Sequence, residues 1–299
     1  MAVTKKFVVS SSKIGSTVIN GIVRSSDNLN TEIINDPTTG SLDPKYTGIR
    51  QVKPTAEIVT KAIETALGAC GIGGVDMSSS VVVQYLQKLL DGGGRASSGH
   101  LSRTFNAGLM VLGNLSVSQG QDAELTLRIH AGFDGTNDPI AYAESVTLPT
   151  DTDVERFTLG PCTVESVAMT GVTALEVDFG IEVVQEGADG DVYPTIVYMN
   201  TRSPTITITC MDASLAGSSD FPIGGLAATH ANTDCFLRKL TKGGTVEANA
   251  SEEHIKITAA GTAHVLQSND GSGMLQVKVE CHHDGTNTPV VITTSQAIA

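Results

Sequence analysis

The side chains of this 299-residue chain that could carry chemistry are seven histidines, five cysteines, a few acidic pairs and D-G-T-N-x-P, a hexapeptide written twice. His130, His282 and His283 follow or flank strand-like runs, and His254 and His264 stand ten positions apart. A zinc site would need imidazoles one helical turn apart, as in H-E-x-x-H, or a compact cluster of His and carboxylate ligands. The sequence has neither. Cys70, Cys162, Cys210, Cys235 and Cys281 are odd in number and scattered, with no C-x-x-C. Free, mostly buried thiols in a reducing compartment are the expectation, without a disulfide framework or zinc.

The repeated hexapeptide offers Asp134, Gly135 and Asn137 in HAGFDGTNDPI, and Asp284, Gly285 and Asn287 in CHHDGTNTPVV. A calcium loop needs a longer string of oxygen ligands ending in a carboxylate. Asp-Gly with Asn before Pro instead predicts a tight turn after a strand. GACGIGG (68–74) fits neither phosphate-binding glycine pattern and reads as a loop. LDGGGRASSGH (90–100) brings Arg95 and His100 together without a nucleophile at recognisable spacing, which predicts a polar surface loop. Glu252-Glu253 and Asp189 with Asp191 lie in polar stretches and read as solvated charges. No enzyme is expected, since an active site would have to be assembled from distant loops.

The elements that must position these residues follow a repeat. At an offset near 150, AELTLRIH (123–130) falls on the run from Met274, pairing Leu125 with Leu275, Leu127 with Val277, Arg128 with Lys278 and Ile129 with Val279. KLLDGG (88–93) falls on KLTKGG (239–244), PTAEIVT (54–60) on PTITITC (204–210), and the KKFVVSSSKI segment on ERFTLGPCTV from Glu155. A register held over four segments predicts two copies of one fold, residues 1–150 and 151–299. Most segments alternate as strands do. In TALEVDFGIEV (173–183), Leu175, Val177, Phe179, Ile181 and Val183 point one way and Glu176, Asp178 and Glu182 the other. AEIVTKAIETALGACG (56–71) predicts a strand leading into a short helix stopped by Gly68, and SSSVVVQYLQKLL a strand. The fold class expected is mainly β, with some α+β character.

Net charge is −13, against a DNA-reading role, because phosphate neutralisation needs clustered Lys and Arg. The charge is lopsided: residues 1–150 carry 12 basic and 13 acidic side chains, residues 151–299 carry 7 and 19. The start, MAVTKKFVVSSSKIG, lacks the apolar core of a signal peptide, and no run approaches the length of a membrane span, so a cytosolic setting without membrane contact is expected.

Two stretches resemble the tail tube (major tail) proteins of long-tailed bacteriophages. They are KLLDGGGRASSGH with AGLMVLGNLSVSQGQDAELTLRIHAGFDGTNDPI, and RFTLGPCTVESVAMTGVTALEVDFGIEV with YPTIVYMNTRSPTITI. The likeness lies in the pattern of strands, glycine loops and turns, and covers most of both halves. It implies two tandem copies of a β-sandwich or barrel with a short flanking helix and a long loop. It also implies six-fold rings stacked into a hollow tube that conducts double-stranded DNA. Three doubled chains would close such a ring as a pseudo-six-fold homotrimer, because the two copies offer quasi-equivalent edges. Closure would also pair strand edges otherwise open to aggregation.

The partners so implied are further copies of the chain, a tape measure protein, tail tip and terminator proteins, and DNA passing without sequence-specific binding. The setting is a virion tail assembled in the host cytoplasm, with no cofactor. Glu176, Asp178 and Glu182 are candidates for the lumen, where carboxylates would repel phosphates and let the duplex slide; outer solvent is the alternative. The first half has Ser26, Asn28 and Glu32 at those positions. Gly92, Gly93, Gly94 and Arg95 are the candidate loop for contact between rings or subunits. A tail hub, terminator or decoration protein is a rival reading. A secreted carbohydrate-binding β-sandwich module is a third, although the chain has no Trp and only five Tyr for a sugar platform.

Overall fold

A computed structural model describes residues 6–36, 43–90, 93–164, 167–188, 190–212, 228–267, 274–283 and 288–298. Its N-terminal half contains β1 (Lys6–Ile14), β2 (Thr17–Ile19), β3 (Ile22–Asn28), β4 (Thr31–Asp36), β5 (Tyr46–Val52), β6 (Thr55–Thr60), α1 (Ile63–Cys70), β7 (Val75–Asp76), β8 (Val82–Leu89), β9 (His100–Phe105), β10 (Gly108–Ser118), β11 (Glu124–Ala131) and β12 (Ile140–Val146). The C-terminal half contains β13 (Arg156–Val164), β14 (Val167–Ala168), β15 (Val172–Asp178), β16 (Ile181–Glu186), β17 (Ile196–Arg202), β18 (Thr205–Cys210), β19 (Ala228–Leu240), β20 (His254–Gln267), β21 (Leu275–Cys281) and β22 (Val290–Gln296). The fold is mainly β, with one short helix among the described residues.

The strand pairings of the first half recur in the second. β3·β6 has Arg24 opposite Val59 and Asn28 opposite Thr55; β15·β18 has Ala174 opposite Thr209 and Asp178 opposite Thr205. Each residue has moved by 150, and both ladders slip at the same place. The hairpins β4·β5 and β16·β17 match pair for pair, with Ile33 opposite Ile49 and Val183 opposite Met199 after identical bulges. β6·β11 matches β18·β21 in the same way. The order β12-β9-β8-β1-β2 of one sheet answers to β22, β20, β19, β13 and β14 in the other half.

Alternation explains which faces close on each other. In β11, Leu125, Leu127 and Ile129 are fully buried while Arg128 is exposed; in β21, Leu275, Val277 and Val279 are buried while Glu280 is exposed. These side chains join Phe105 from the five-stranded sheet and Phe157, Leu237 and Ile257 from β13, β19 and β20 in a hydrophobic cluster that runs through both halves. Burial of this apolar surface is the main favourable term in folding. α1 packs Ile63, Ala66, Leu67 and Cys70 into the same cluster.

The helix differs from the sequence expectation. It passes through Gly68 and ends at Gly71, which has φ 64° and donates its N–H to Leu67 O at 2.7 Å. A glycine inside a helix costs about 1 kcal/mol relative to alanine. Four buried side chains on one face outweigh that cost, and the left-handed position at Gly71 sets the stop. The stretch 173–183 is likewise two strands rather than one. Gly180, at φ 55°, turns the chain between β15 and β16, where an added Cβ would lie 2.0 Å from Ser203 O. Asp178 Oδ1 secures the turn by accepting from Gly180 N at 2.9 Å.

Candidate assembly surface

The two halves join edge to edge through β10 and β15. Asn114 lies opposite Asp178, Ser116 opposite Glu176 and Ser118 opposite Ala174. Phe179 N to Gly113 O at 3.1 Å and Gln119 N to Thr173 O at 2.8 Å extend this seam at both ends. The result includes a run of eight strands, β20-β21-β18-β15-β10-β11-β6-β3, and beyond β20 the same hydrogen-bonded path continues into β19, β13 and β14. In β15 one edge pairs with β18 and the other with β10; β3, its counterpart, ends the row and among the described residues pairs with β6 alone.

One face of this row is polar. Ser116, Glu176, Thr207, Lys278 and His264 face one another in succession across the strands. Beside them run Asn114, Asp178, Thr205, Glu280 and Thr262. In the first half the equivalent series is Ser26, Glu57 and Arg128. Glu176 and Asp178 are both exposed there. Arg128 and Lys278 occupy matching positions in the two halves, so basic side chains interrupt the acidic ones, and Lys278 pairs with Glu280 at 2.7 Å. Glu182 is not brought to this face: it lies on β16 in a separate hairpin, and its carboxylate accepts from Asn200 Nδ2 and Thr201 Oγ1.

The other residues singled out in the sequence have structural partners. Asp134 Oδ1 accepts from Thr136 N and Asn137 N, and its Oδ2 from the Asn137 amide at 2.8 Å. These bonds hold its carboxyl below the usual range and fix Gly135, at φ 86°, in the predicted turn. Asp284, Gly285 and Asn287 lie outside the described residues, as does Gly92. Gly93, Gly94 and Arg95 are exposed, and Leu89 bridges to Arg95 across their turn. His100 is buried, its Nδ1 accepting from Lys88 N at 3.2 Å; His254 is buried in the same way, its Nδ1 accepting from Lys239 N at 3.1 Å. In both halves the imidazole ties itself to the backbone of the neighbouring strand. Among the described residues no group of three His, Cys, Asp or Glu side chains could hold a metal. Cys70, Cys162, Cys210 and Cys235 are buried free thiols, and burial pushes the Cys70 thiol up to about 12.

Several contacts that unite the halves carry no sequence signature. The β16·β17 hairpin reaches onto the N-terminal half, where Gln185 Nε2 donates to Ala131 O at 2.9 Å and Pro54 O at 3.2 Å. Val52 N donates to Val192 O at 2.8 Å, Phe133 N to Pro194 O at 2.7 Å, and the Phe133 and Tyr193 rings meet at 6.0 Å. Glu64 on α1 shares a hydrogen bond with Glu155 at the start of β13. That bond, then burial and the Glu155 charge, raise the Glu64 carboxyl to about 7. Lys239 Nζ, 2.8 Å from Glu155, helps keep the latter low. A comparison with protein-family models and another with curated proteins return no match.

Proposed function

We infer that the chain is two tandem copies of one β-sandwich domain, residues 1–150 and 151–299. Three such chains close into a pseudo-six-fold ring, and rings stack into the DNA-conducting tail tube of a long-tailed phage. The observation that carries this reading is the β10·β15 seam. It joins the copies head to tail, so each additional copy added by the same operation leaves the same edge open. A heterologous contact of this kind closes into a ring when its rotation divides the circle. In the first copy the open edge is β3, and the strand of the second copy equivalent to β10 is the C-terminal part of β20.

The dimensions support a channel. Three rows of eight strands at about 4.8 Å spacing give a circumference of about 115 Å and a diameter of about 37 Å between backbones, which strand tilt widens. Barrels of about 16–18 strands already enclose water. The apolar faces are taken up by the core, so the polar face with Glu176, Asp178, Arg128 and Lys278 lines the bore. Mixed signs there give DNA no continuous basic track to grip, since tight phosphate binding needs clustered cations. The role is structural. Its partners are further copies of the chain and the tape measure, tip and terminator proteins of the tail, its place is the virion, and it needs no cofactor.

Negative-stain microscopy of the purified protein tests this directly. Rings of three chains with a central hole, or hollow tubes built from them, are expected. Compact particles without a channel would sink the assignment.

A further inference from the structure

The two hairpins match pair for pair in sequence register yet differ in their surroundings. In β16·β17, Gln185 is 8% exposed, and Val183 and Met199 pack against the core. Their counterparts in β4·β5 are Asn35, which is exposed, and Ile33 and Ile49, which are 61% and 59% exposed. Leu29 is 52% exposed, whereas Phe179 at the equivalent place is 1% exposed. Isolated apolar side chains on a surface need no explanation, but a set that recurs as a buried interface elsewhere in the same chain does.

The backbone frame of the receiving surface also exists twice. On the first half it consists of Pro54 O and Ala131 O, beside Gly132, whose added Cβ would stand 3.0 Å from Val197. Around it Ala131 N bonds Pro54 O and Gly132 N bonds Ala107 O. In the second half Cys281 N bonds Pro204 O and His282 N bonds Ala260 O, which is the same backbone arrangement with His282 in place of Gly132, so a hairpin seated there must make room for an imidazole. Among the described residues of the chain, no third hairpin reaches it.

We propose that the β4·β5 hairpin of one subunit seats on the second half of a neighbouring copy of this chain. There Asn35 donates to the backbone carbonyls of Pro204 and Cys281, and Ile33 and Ile49 lose their exposure. The occupant is a second copy because the docked hairpin inside the chain is continuous with the β10·β15 seam, and the same displacement carries both. This rests on the ring reading and adds to it a second, side-chain contact beside the paired strand edges. The apolar contact holds the hairpin and the amide sets its register, since two carbonyls in fixed positions accept a primary amide only at one depth.

The test is a cysteine pair, Thr47→Cys with His282→Cys, at the positions equivalent to Val197 and Gly132. Oxidation should link different chains and give a ladder of covalent species ending at three, while either single variant, which controls for the native thiols, should not. A second variant, Ile33→Glu with Ile49→Glu, alters exposed positions only and should leave the monomer folded by circular dichroism while reducing ring formation at least tenfold. Absence of interchain bands in preparations where rings are visible, or rings unaffected by the two glutamates, would overturn the hairpin contact and leave the tube standing. Interchain bands without rings would keep the contact and remove the closed tube.

Discussion

Strands β9 and β10 do in two pieces what β20 does in one. In the N-terminal half the chain leaves one sheet at Phe105, passes Asn106 and Ala107, and enters the other sheet at Gly108. In the C-terminal half the strand runs unbroken from His254 to Gln267, pairing β22 with its first part, β19 as far as Ala263 and β21 from Gly261 onward. Both versions place glycine at the crossing. A Cβ at Gly108 would lie 2.1 Å from His130 O, and one at Gly261 would lie 2.3 Å from Glu280 O. The difference is in backbone shape, because Gly108 needs φ 110°. Close approach of the crossing strand to its own paired neighbour, β11 in one half and β21 in the other, is therefore the shared constraint, and the break in the strand is a local variation on it.

Alanine at the two glycines gives the largest expected effect and can break this comparison. Gly108→Ala meets both a backbone oxygen and a left-handed φ and should cost about 3–5 kcal/mol. Gly261→Ala meets the oxygen alone and should cost about 1–3 kcal/mol. Urea unfolding of both variants measures this. A neutral Gly261→Ala would mean that the unbroken strand can move aside, and that the two crossings are not the same device.

The hairpins supply the next contrast. Gln185→Ala removes a buried amide from two carbonyls and should destabilise the isolated chain by about 1–2 kcal/mol. Asn35→Ala, at the same place on the exposed hairpin, should stay within about 0.5 kcal/mol. Equal losses in urea would show that Asn35 already has a partner within its own chain.

What the sequence revealed follows from what repeats in it. Cross-strand rows of Leu, Val and Ile survive as alternation because burial constrains each position alone, so the register at 150 could be found from Leu125 and Leu275. Turn chemistry was legible where a side chain closes on its own loop, as Asp134 does on Thr136 and Asn137. The break after Asp178 was hidden because Phe179 and Ile181 continue the alternation of Leu175 and Val177 into another sheet, which is why Glu182 was grouped with the wrong neighbours. Position 180 and its counterpart 30 show the difficulty: Gly180 adopts φ 55° and Asn30 adopts φ 45°, the latter fixed by donation to Lys53 O. Two residue types perform one turn, so no repeated letter marks it. Contacts such as Gln185 with Pro54 and Ala131 depend on how the copies are placed against each other, and no local pattern encodes that.

The smallest effect concerns the carboxylate pair at the junction of α1 and β13. Glu64 is stabilised in its protonated form, which donates to Glu155, so its carboxyl rises from 4.5 to about 7. A raised value means that the folded state holds the proton more tightly than the unfolded chain. The contribution is thus complete below about pH 4.5 and is lost as pH rises through about 7. Glu155 acts in the opposite direction, its carboxyl held low by the bonds from Glu64 and Lys239, so its share disappears as pH falls. Together they favour the window in which one proton is shared. Glu64→Gln supplies a donor at every pH and should remove the alkaline loss. Relative to the wild type, its Tm should gain about 2 °C between pH 5.5 and pH 8.5. Parallel melting curves for the two proteins across that range would show that α1 and β13 are held by packing alone, with no proton between them.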